Sequence, residues 1–375
     1  MRIPDFSQYD GGTQFAYQDK IFHREKSLGS GSFAEVLLFE TQDKTQRYAV
    51  KCEKACLHKY GHGNDFATEA KWYQTIYGLG VLSGNPKNVY APHYILMPYF
   101  EGRLLHEKMY QSAKELFYYW MWSAMAICNL HQQHHVIHAD LKFDNIIAGD
   151  NKIFLIDFGM ITRVNDVRKE CFYPDDKFFI THQPPELFFG EDKEKKASEC
   201  QDVYCLGYLL RTLFYLFFIE HVSTQSELLE TQKKVGTVTQ NMTQWKPERR
   251  WSIEKSIYML SVACLSQLPK EMWSQVVFQN MSNTSQAIFD MAIQVRIDEL
   301  TREQKKLDSP SSVKEKKIDG LKKLQQQIAE KPTRALEVVL AAKTDRSLTA
   351  GVFSNRTAAL LCELAEIGRV ITPLC

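Results

Sequence analysis

Apolar and polar positions divide the chain into a strand-patterned opening and a mainly helix-patterned remainder. Ile21-Phe22 and Val36-Leu37-Leu38-Phe39 flank the stretch Leu28–Val36, which predicts a hairpin turning at its glycines. Arg47–Lys51 reads as a strand ending on a lysine, and Tyr94–Leu105 as a strand entering a turn at Gly102. Between them Phe66, Glu69, Tyr73 and Ile76 share one face of a helix expected over Phe66–Tyr77, with Asp65 as its N-cap. Over Ala113–His131 the residues Leu116, Phe117, Trp120, Met121, Ala124, Ile127 and Leu130 make a helix that is apolar all round and therefore buried. Ile146-Ile147, a turn at Gly149-Asp150-Asn151 and the short strand Lys152–Ile156 form a second hairpin. Leu206, Leu209, Leu210, Leu213 and Phe214 mark another core helix. Farther on, Ile288, Met291, Val295 and Leu300 form one apolar stripe, and Ile318, Leu321, Leu324 and Ile328 another. Asp308-Ser309-Pro310 separates the two, and Lys331-Pro332 opens a third helix. Residues 1–20 are polar without a clear period, so they read as a short leader or as an ordered arm.

Composition narrows the picture only a little. A chain of 375 residues with 44% hydrophobic content can hold two lobes and an insert. The net charge of +1 gives no global field for nucleic acid or membrane, and no DNA partner is expected. Nine cysteines without paired spacing read as reduced thiols in a cytoplasmic setting. The N-terminal MRIPDFSQYDGG carries no signal-peptide pattern. Leu116–Leu130 and Leu209–Ile219 are too short to span a bilayer and are interrupted by Ser123 and Arg211, so no transmembrane segment is expected. Residues 302–323 carry eight basic and four acidic side chains, which fits a solvated helix face or a site for an anionic regulator.

The chemistry concentrates in Val136–Gly159, VIHADLKFDNIIAGDNKIFLIDFG. Its second hairpin can gather Asp140, Asn145 and Asp157 around one small volume. Hard oxygens of this kind suit Mg²⁺, which takes few protein ligands. A separate carboxylate can receive the proton of an attacking hydroxyl. Upstream, Gly29 and Gly31 let the backbone approach phosphate oxygens and offer them N–H groups. His131, His134 and His135 are close in sequence and are read as solvated loop residues rather than metal ligands.

The spacing HxDxKxxN, followed by DFG twelve residues after its Asn, resembles the catalytic loop and metal-binding motif of the eukaryotic-type protein kinases. The resemblance is strong over residues 21–220 and thins afterwards. It implies a bilobal α+β fold, with a small β-rich lobe over 21–97 and a mainly helical catalytic core over 98–220. A divergent helical region over 221–335 and closing helices over 336–375 would follow. LGSGSFAEV matches the family's glycine loop, with Ala34 in place of the third glycine. The match implies that Leu28, Gly29, Ser30, Gly31, Ser32, Phe33 and Val36 cover ATP, with Ala49, Met97, Pro98, Phe100 and Ile147 around the adenine. Lys51 would hold the inner phosphates and Glu69 would hold Lys51; Glu53 is its rival, but it lies on the same strand. Asn145 and Asp157 would bind Mg²⁺, with Mn²⁺ as an alternative. Asp140 would act on the acceptor hydroxyl and Lys142 on the γ-phosphate. Asp202 would hold the backbone of the catalytic loop. Pro184-Pro185-Glu186 stands where the family has APE, and the arginine partner of Glu186 is expected at Arg346, with Arg356 as the alternative.

Two positions depart from the family. Ala139 replaces the arginine that commonly grips a phosphorylated activation loop. Phe179 stands where Ser/Thr kinases place a threonine near the catalytic Asp. Thr162, Tyr173 and Thr181 are the hydroxyls of the segment. The implied activity is ATP- and Mg²⁺-dependent phosphorylation of Ser/Thr hydroxyls on a protein substrate. Two alternatives remain, a small-molecule kinase on the same fold and a nucleotide-binding pseudokinase serving as an interaction module. An intact motif set beside a divergent C-terminal half also resembles bacterial effector kinases, which would place the chain in a host cytosol.

Overall fold

The structure is a computed structural model that describes residues 3–31, 34–54, 66–84, 92–108, 110–111, 113–150, 152–168, 182–188, 196–221, 235–264, 284–305, 311–331, 334–349 and 356–371. Ser32, Phe33, Asp65, Asn151, Asp308–Pro310, Pro332, Tyr173, Phe179 and Thr181, all named above, lie outside these residues.

The first lobe is one antiparallel sheet in the order β1-β2-β3-β4-β6-β5. Its strands are β1 (Gln14–Tyr17), β2 (Lys20–Ser30), β3 (Ala34–Thr41), β4 (Arg47–Glu53), β5 (Val81–Ser83) and β6 (Tyr94–Pro98). The β2–β3 hairpin turns at the glycine stretch, with Gly29 opposite Val36 and the Gly31 N–H donating to the Ala34 carbonyl at 2.9 Å. Alternation along β4 sorts the two faces of the sheet. Val50 joins an aromatic cluster with Phe6, Phe15, Phe22 and Phe39 on one side. Ala49 packs on the other side with Phe66, Ala70 and Tyr73 of helix α1 (Phe66–Tyr77). Lys51 is two residues beyond Ala49 and so shares the α1 side. Residues 5–17 form an ordered arm: Phe6 and Tyr9 are buried, β1 extends the sheet, and the Ser83 hydroxyl donates to the Tyr9 carbonyl.

The chain crosses to the second lobe after β6. Here Gly102 is required because a Cβ would collide with the Ala148 carbonyl. β7 (Arg103–Leu104) then pairs with β9 (Ile146–Gly149), which pairs antiparallel with β10 (Lys152–Leu155), Gly149 opposite Lys152. Helix α2 (Ala113–His134) is the axis of this lobe, and Leu116, Phe117, Trp120, Met121, Ala124, Ile127 and Leu130 are all buried. It packs on α3 (Glu199–His221), where the Trp120 indole N–H donates to the Leu206 carbonyl at 3.0 Å. The pair β8 (Val136–Ile137) and β11 (Thr162–Arg163) brackets the catalytic-loop stretch. Later helices span Ile253–Cys264, Thr284–Lys305, Ser312–Glu330, Ala335–Ala342, Arg346–Thr349 and Arg356–Ile371. Leu321, Leu324 and Ile328 bury one stripe of Ser312–Glu330 against Phe289, Ile293, Ile297 and Leu300.

Three expectations are corrected. Glu186 pairs with neither Arg346 nor Arg356. Arg250 donates to both of its oxygens, at 2.7 and 2.6 Å, and also to the carbonyls of Cys200, Gln244 and Trp245. Arg346 is exposed, and Arg356 lies 3.8 Å from Glu303. A guanidinium that saturates its five donors in one place needs a socket of backbone carbonyls, and the turn at 244–250 supplies it. His131 is not a solvated loop residue: α2 runs past it and leaves it 2% exposed. Lys317, within the basic run, is buried, so that run is only partly a solvated face. Lys314 in the same run pairs with Glu303 at 3.1 Å.

Removing Arg250 would leave the part-buried Glu186 carboxylate and three backbone carbonyls without their donor. Arg250→Ala is expected to lower the urea midpoint; a midpoint equal to wild type would mean that Glu186 is adequately solvated without it.

Candidate active site

Two loops and one helix face meet below the β-sheet. From β4, the Lys51 ammonium lies 2.8 Å from both oxygens of Glu69 and 2.8 Å from Asp157 Oδ1. Glu69 is fully buried, and Lys51 is the cation that makes that burial tolerable. Glu53 is engaged elsewhere, on the His93 backbone N–H and ring, at 3.1 and 2.6 Å. Burial opposes the charge on Lys51, yet Glu69 and Asp157 outweigh it and push its pKa up. Burial likewise works to raise Asp157, and Lys51 outweighs it, so the carboxyl stays below its usual range.

Asp157 is in the left-handed region with φ 62°. That conformation costs a non-glycine residue roughly 1–2 kcal/mol and needs support. The Asp157 N–H donates to the Tyr73 hydroxyl at 3.0 Å, and the Leu155 N–H to the Tyr77 hydroxyl at 2.9 Å. Phe158 is buried edge-on against Tyr73, with ring centroids 4.9 Å apart. Helix α1 therefore holds the Asp157 turn through two tyrosines one helical turn apart, on the face that carries Glu69. Sequence reading placed Tyr73 on the Glu69 face without giving it this role, and did not single out Tyr77.

The loop after β8 supplies the other groups. Asp140 Oδ2 accepts from the Lys142 ammonium at 2.8 Å and from the Asn145 amide at 3.1 Å. The same Asn145 amide nitrogen donates to the Asp140 carbonyl at 2.7 Å. Asn145 is thus oriented by its nitrogen, which leaves its Oδ1 as the acceptor of the side chain. The Ile156 N–H donates to the Asn145 carbonyl at 3.0 Å, which ties the two segments together. A carboxylate and an amide oxygen form a hard donor set that fits Mg²⁺ with water and phosphate completing its shell. Gln183, buried and ahead of the Pro184-Pro185-Glu186 turn, brings its amide nitrogen to 3.5 Å from Asp140 Oδ1, another contact the sequence did not signal.

Beneath the loop, Asp202 on α3 is fully buried. It accepts from the His138 N–H at 2.8 Å, the Ala139 N–H at 3.1 Å and the His131 ring at 2.9 Å. Burial alone would raise Asp202 and lower His131. Each outweighs that for the other, so Asp202 is held below and His131 above its ordinary value.

The nucleotide-side expectations fall on the first-lobe sheet, the crossing to the second lobe and β9. Ala49 and Met97 are opposite each other in the β4–β6 pair and buried. Val36 is partly buried against the same core, Ile147 is half-buried, and Leu28 is exposed. Pro98 ends β6, and the Phe100 ring stacks on Phe154 with centroids 4.2 Å apart. Gly29, Ser30 and Gly31 form the hairpin end above them.

Comparison with known proteins agrees with this geometry. The protein kinase domain family model matches residues 22–285, more than half of the chain, and the chain belongs to that family. A candidate serine/threonine-protein kinase of Mycoplasma pneumoniae is 31% identical over 133 residues, covering 31% of this chain and 34% of its own. The eye isozyme of protein kinase C from Drosophila melanogaster is 28% identical over 172 residues, covering 41% of this chain and 24% of its own. A Dictyostelium discoideum protein named for the serine/threonine-protein kinase PLK is 27% identical over 207 residues, covering 52% of this chain and 20% of its own. The chain therefore spans about a third or less of the length of these relatives. Among the described residues no helix is long and apolar enough to cross a membrane.

The His131–Asp202 pair makes a pH prediction. Asp202 is depressed from 3.8, so its stabilisation is present above that pH and is lost as pH falls through its lower folded value. His131 is raised from 6.5, so its stabilisation is present below that pH and is lost as pH rises through its higher folded value. The melting-temperature gap between wild type and His131→Phe should be widest near pH 5–6 and shrink toward alkaline pH. A gap that stays constant would show that the pair is not ionised.

Proposed function

We propose that this protein is an ATP- and Mg²⁺-dependent kinase acting on Ser/Thr hydroxyls of a protein substrate. The observation that carries the reading is the closed arrangement of Lys51 between Glu69 and Asp157, facing a base bracketed by Lys142 and Asn145. Lys51, fixed by Glu69, holds the inner phosphates of the nucleotide. Leu28, Val36, Ala49, Met97 and Ile147 close on the adenine, while the backbone at Pro98 and Phe100 meets its polar edge. Asp157 and Asn145 hold Mg²⁺ (or Mn²⁺), which neutralises charge on the phosphates when bound. Asp140 orients the acceptor hydroxyl and takes its proton, and Lys142 steadies the transferring phosphoryl group. Catalysis of this kind is positioning and charge stabilisation, which fits a site whose side chains are all braced. Lys142, the glycine loop and the Pro184-Pro185-Glu186 turn favour a protein acceptor over a small alcohol, and braced catalytic side chains favour turnover over a pseudokinase.

A cytoplasmic setting fits the unpaired cysteine spacing, and a host cytosol belongs to the bacterial-effector version of the reading. An anionic regulator at 302–323 would meet Lys316, Lys322 and Lys323. Lys316 and Lys323 line a groove of about 800 Å³ whose other charged residues include the acids Asp319, Glu330, Glu337 and Asp345.

Asp157→Ala should abolish phosphoryl transfer while the protein still folds, because Lys51 keeps its pairing with Glu69 and the site is partly open. Near-wild-type transfer would remove Asp157 from the metal site. Lys51→Met should lower the rate by roughly 100-fold or more through lost positioning and should also lower the melting temperature, because buried Glu69 loses its cation; a folded variant with the wild-type rate would remove Lys51 from the phosphate site.

Control by activation-loop phosphorylation is not expected, since Ala139 offers no cation to a phosphate. Phosphatase-treated enzyme, checked by mass spectrometry, should keep its initial rate. A large drop restored by phosphate on Thr162, Tyr173 or Thr181 would contradict this.

A further inference from the structure

We propose that Arg168 is a positioning residue for Asp140, acting by clamping the peptide between Ala139 and Asp140; the proposal rests on the kinase reading above. Ala139 sits immediately before the base and has φ 66°, in the region that disfavours any side chain with a Cβ. Its N–H is taken by Asp202 Oδ1 at 3.1 Å. Its carbonyl is taken from the opposite side by the Arg168 guanidinium. Arg168 is itself 7% exposed, and it donates to Gln201 Oε1 at 3.3 Å. Gln201 in turn donates to the Lys196 carbonyl at 3.0 Å. The backbone on either side is pinned as well. The Asn165 N–H donates to the Ala197 carbonyl and the Ala197 N–H to the Asp166 carbonyl, at 2.9 and 2.8 Å.

The consequence is geometric. The carboxylate holds the 138–139 peptide plane at its N–H and the guanidinium holds the 139–140 plane at its carbonyl, so the torsions at Ala139 between them are fixed, and the second plane sets the direction of the next side chain, Asp140. Charge-assisted hydrogen bonds are the strong kind, and both grips on Ala139 are of that kind. Arg168 lies within the activation segment, so the clamp joins that segment to the catalytic loop through a buried side chain. A phosphate–arginine contact next to the base would serve the same purpose in a chain with arginine at position 139. Here the cation comes from the segment and grips the backbone, so the loop is set without a modification.

The test uses the full chain with Arg168→Met, Arg168→Lys and Ala139→Gly, alone and combined. Transfer from labelled ATP to dephosphorylated casein gives kcat and the KM for ATP, and calorimetry with a non-hydrolysable ATP analogue gives nucleotide affinity. Arg168→Met should lower kcat by roughly 10- to 100-fold, with nucleotide affinity and KM for ATP within about two-fold. Arg168→Lys should recover part of the loss by retaining a charged donor. Ala139→Gly should also recover part of it in the Arg168→Met chain, because glycine adopts positive φ without help. A role confined to general stability would lower nucleotide affinity alongside kcat and would not respond to Ala139→Gly. Amide exchange across residues 137–142 reads the clamp even if the wild type transfers no phosphate, an outcome that would sink the kinase reading alone. Faster exchange in Arg168→Met, and in Arg168→Lys if the methionine variant fails to fold, is the expected result. Unchanged exchange, or wild-type kcat in folded Arg168→Met, would overturn the proposal.

Discussion

Everything in the site depends on one buried charge. Glu69 has no exposure to water, so it must have a cation, and Lys51 supplies it from the sheet. That single requirement fixes the distance between α1 and β4. It also points the remaining donor of Lys51 at Asp157. Because Asp157 opens the stretch whose backbone is caught by Tyr73, helix, sheet and loop are set by one ion triad rather than by three separate contacts. A buried pair of this kind adds less to stability than it costs when broken. Its effect is to make one relative placement of the three elements far better than any other.

The second lobe repeats the device with a different carboxylate. Asp202 is buried under the catalytic loop and is neutralised by His131 from α2. Its remaining lone pairs go to two consecutive backbone N–H groups. Left-handed residues stand at Ala139 and Asp157, one in each half of the site. Both are supported by hydrogen bonds from outside their own segment, which is how a fold sustains backbone strain where chemistry needs it. The strain and the buried carboxylates are thus two sides of one design: rigid scaffolding under a polar, partly open surface.

The two-lobed α+β fold was legible because its signals are local. Glycines flanked by strand residues, a helix apolar on all sides and a hairpin leading to Asp157 each announce themselves within about a dozen residues. Glu69 was legible for the same reason, as an acid on the apolar face of an amphipathic helix. Contacts that join distant segments through backbone groups were not. Arg250 was overlooked because the socket that holds it is made of carbonyls, which have no sequence signature. His131 was misread because its neighbours at 134 and 135 suggested a loop, whereas its burial is decided by Asp202, on another helix. Lys317 looked solvated because a charge run hides a member that turns inward.

The most direct test of the account is phosphoryl transfer by the purified chain with Mg²⁺ and labelled ATP, compared with Asp140→Asn. The account predicts label on serine or threonine in the wild type, and in the variant a loss of at least about 100-fold at unchanged nucleotide affinity. Nucleotide binding by both proteins with transfer by neither would contradict it, and would make this braced site a binding module.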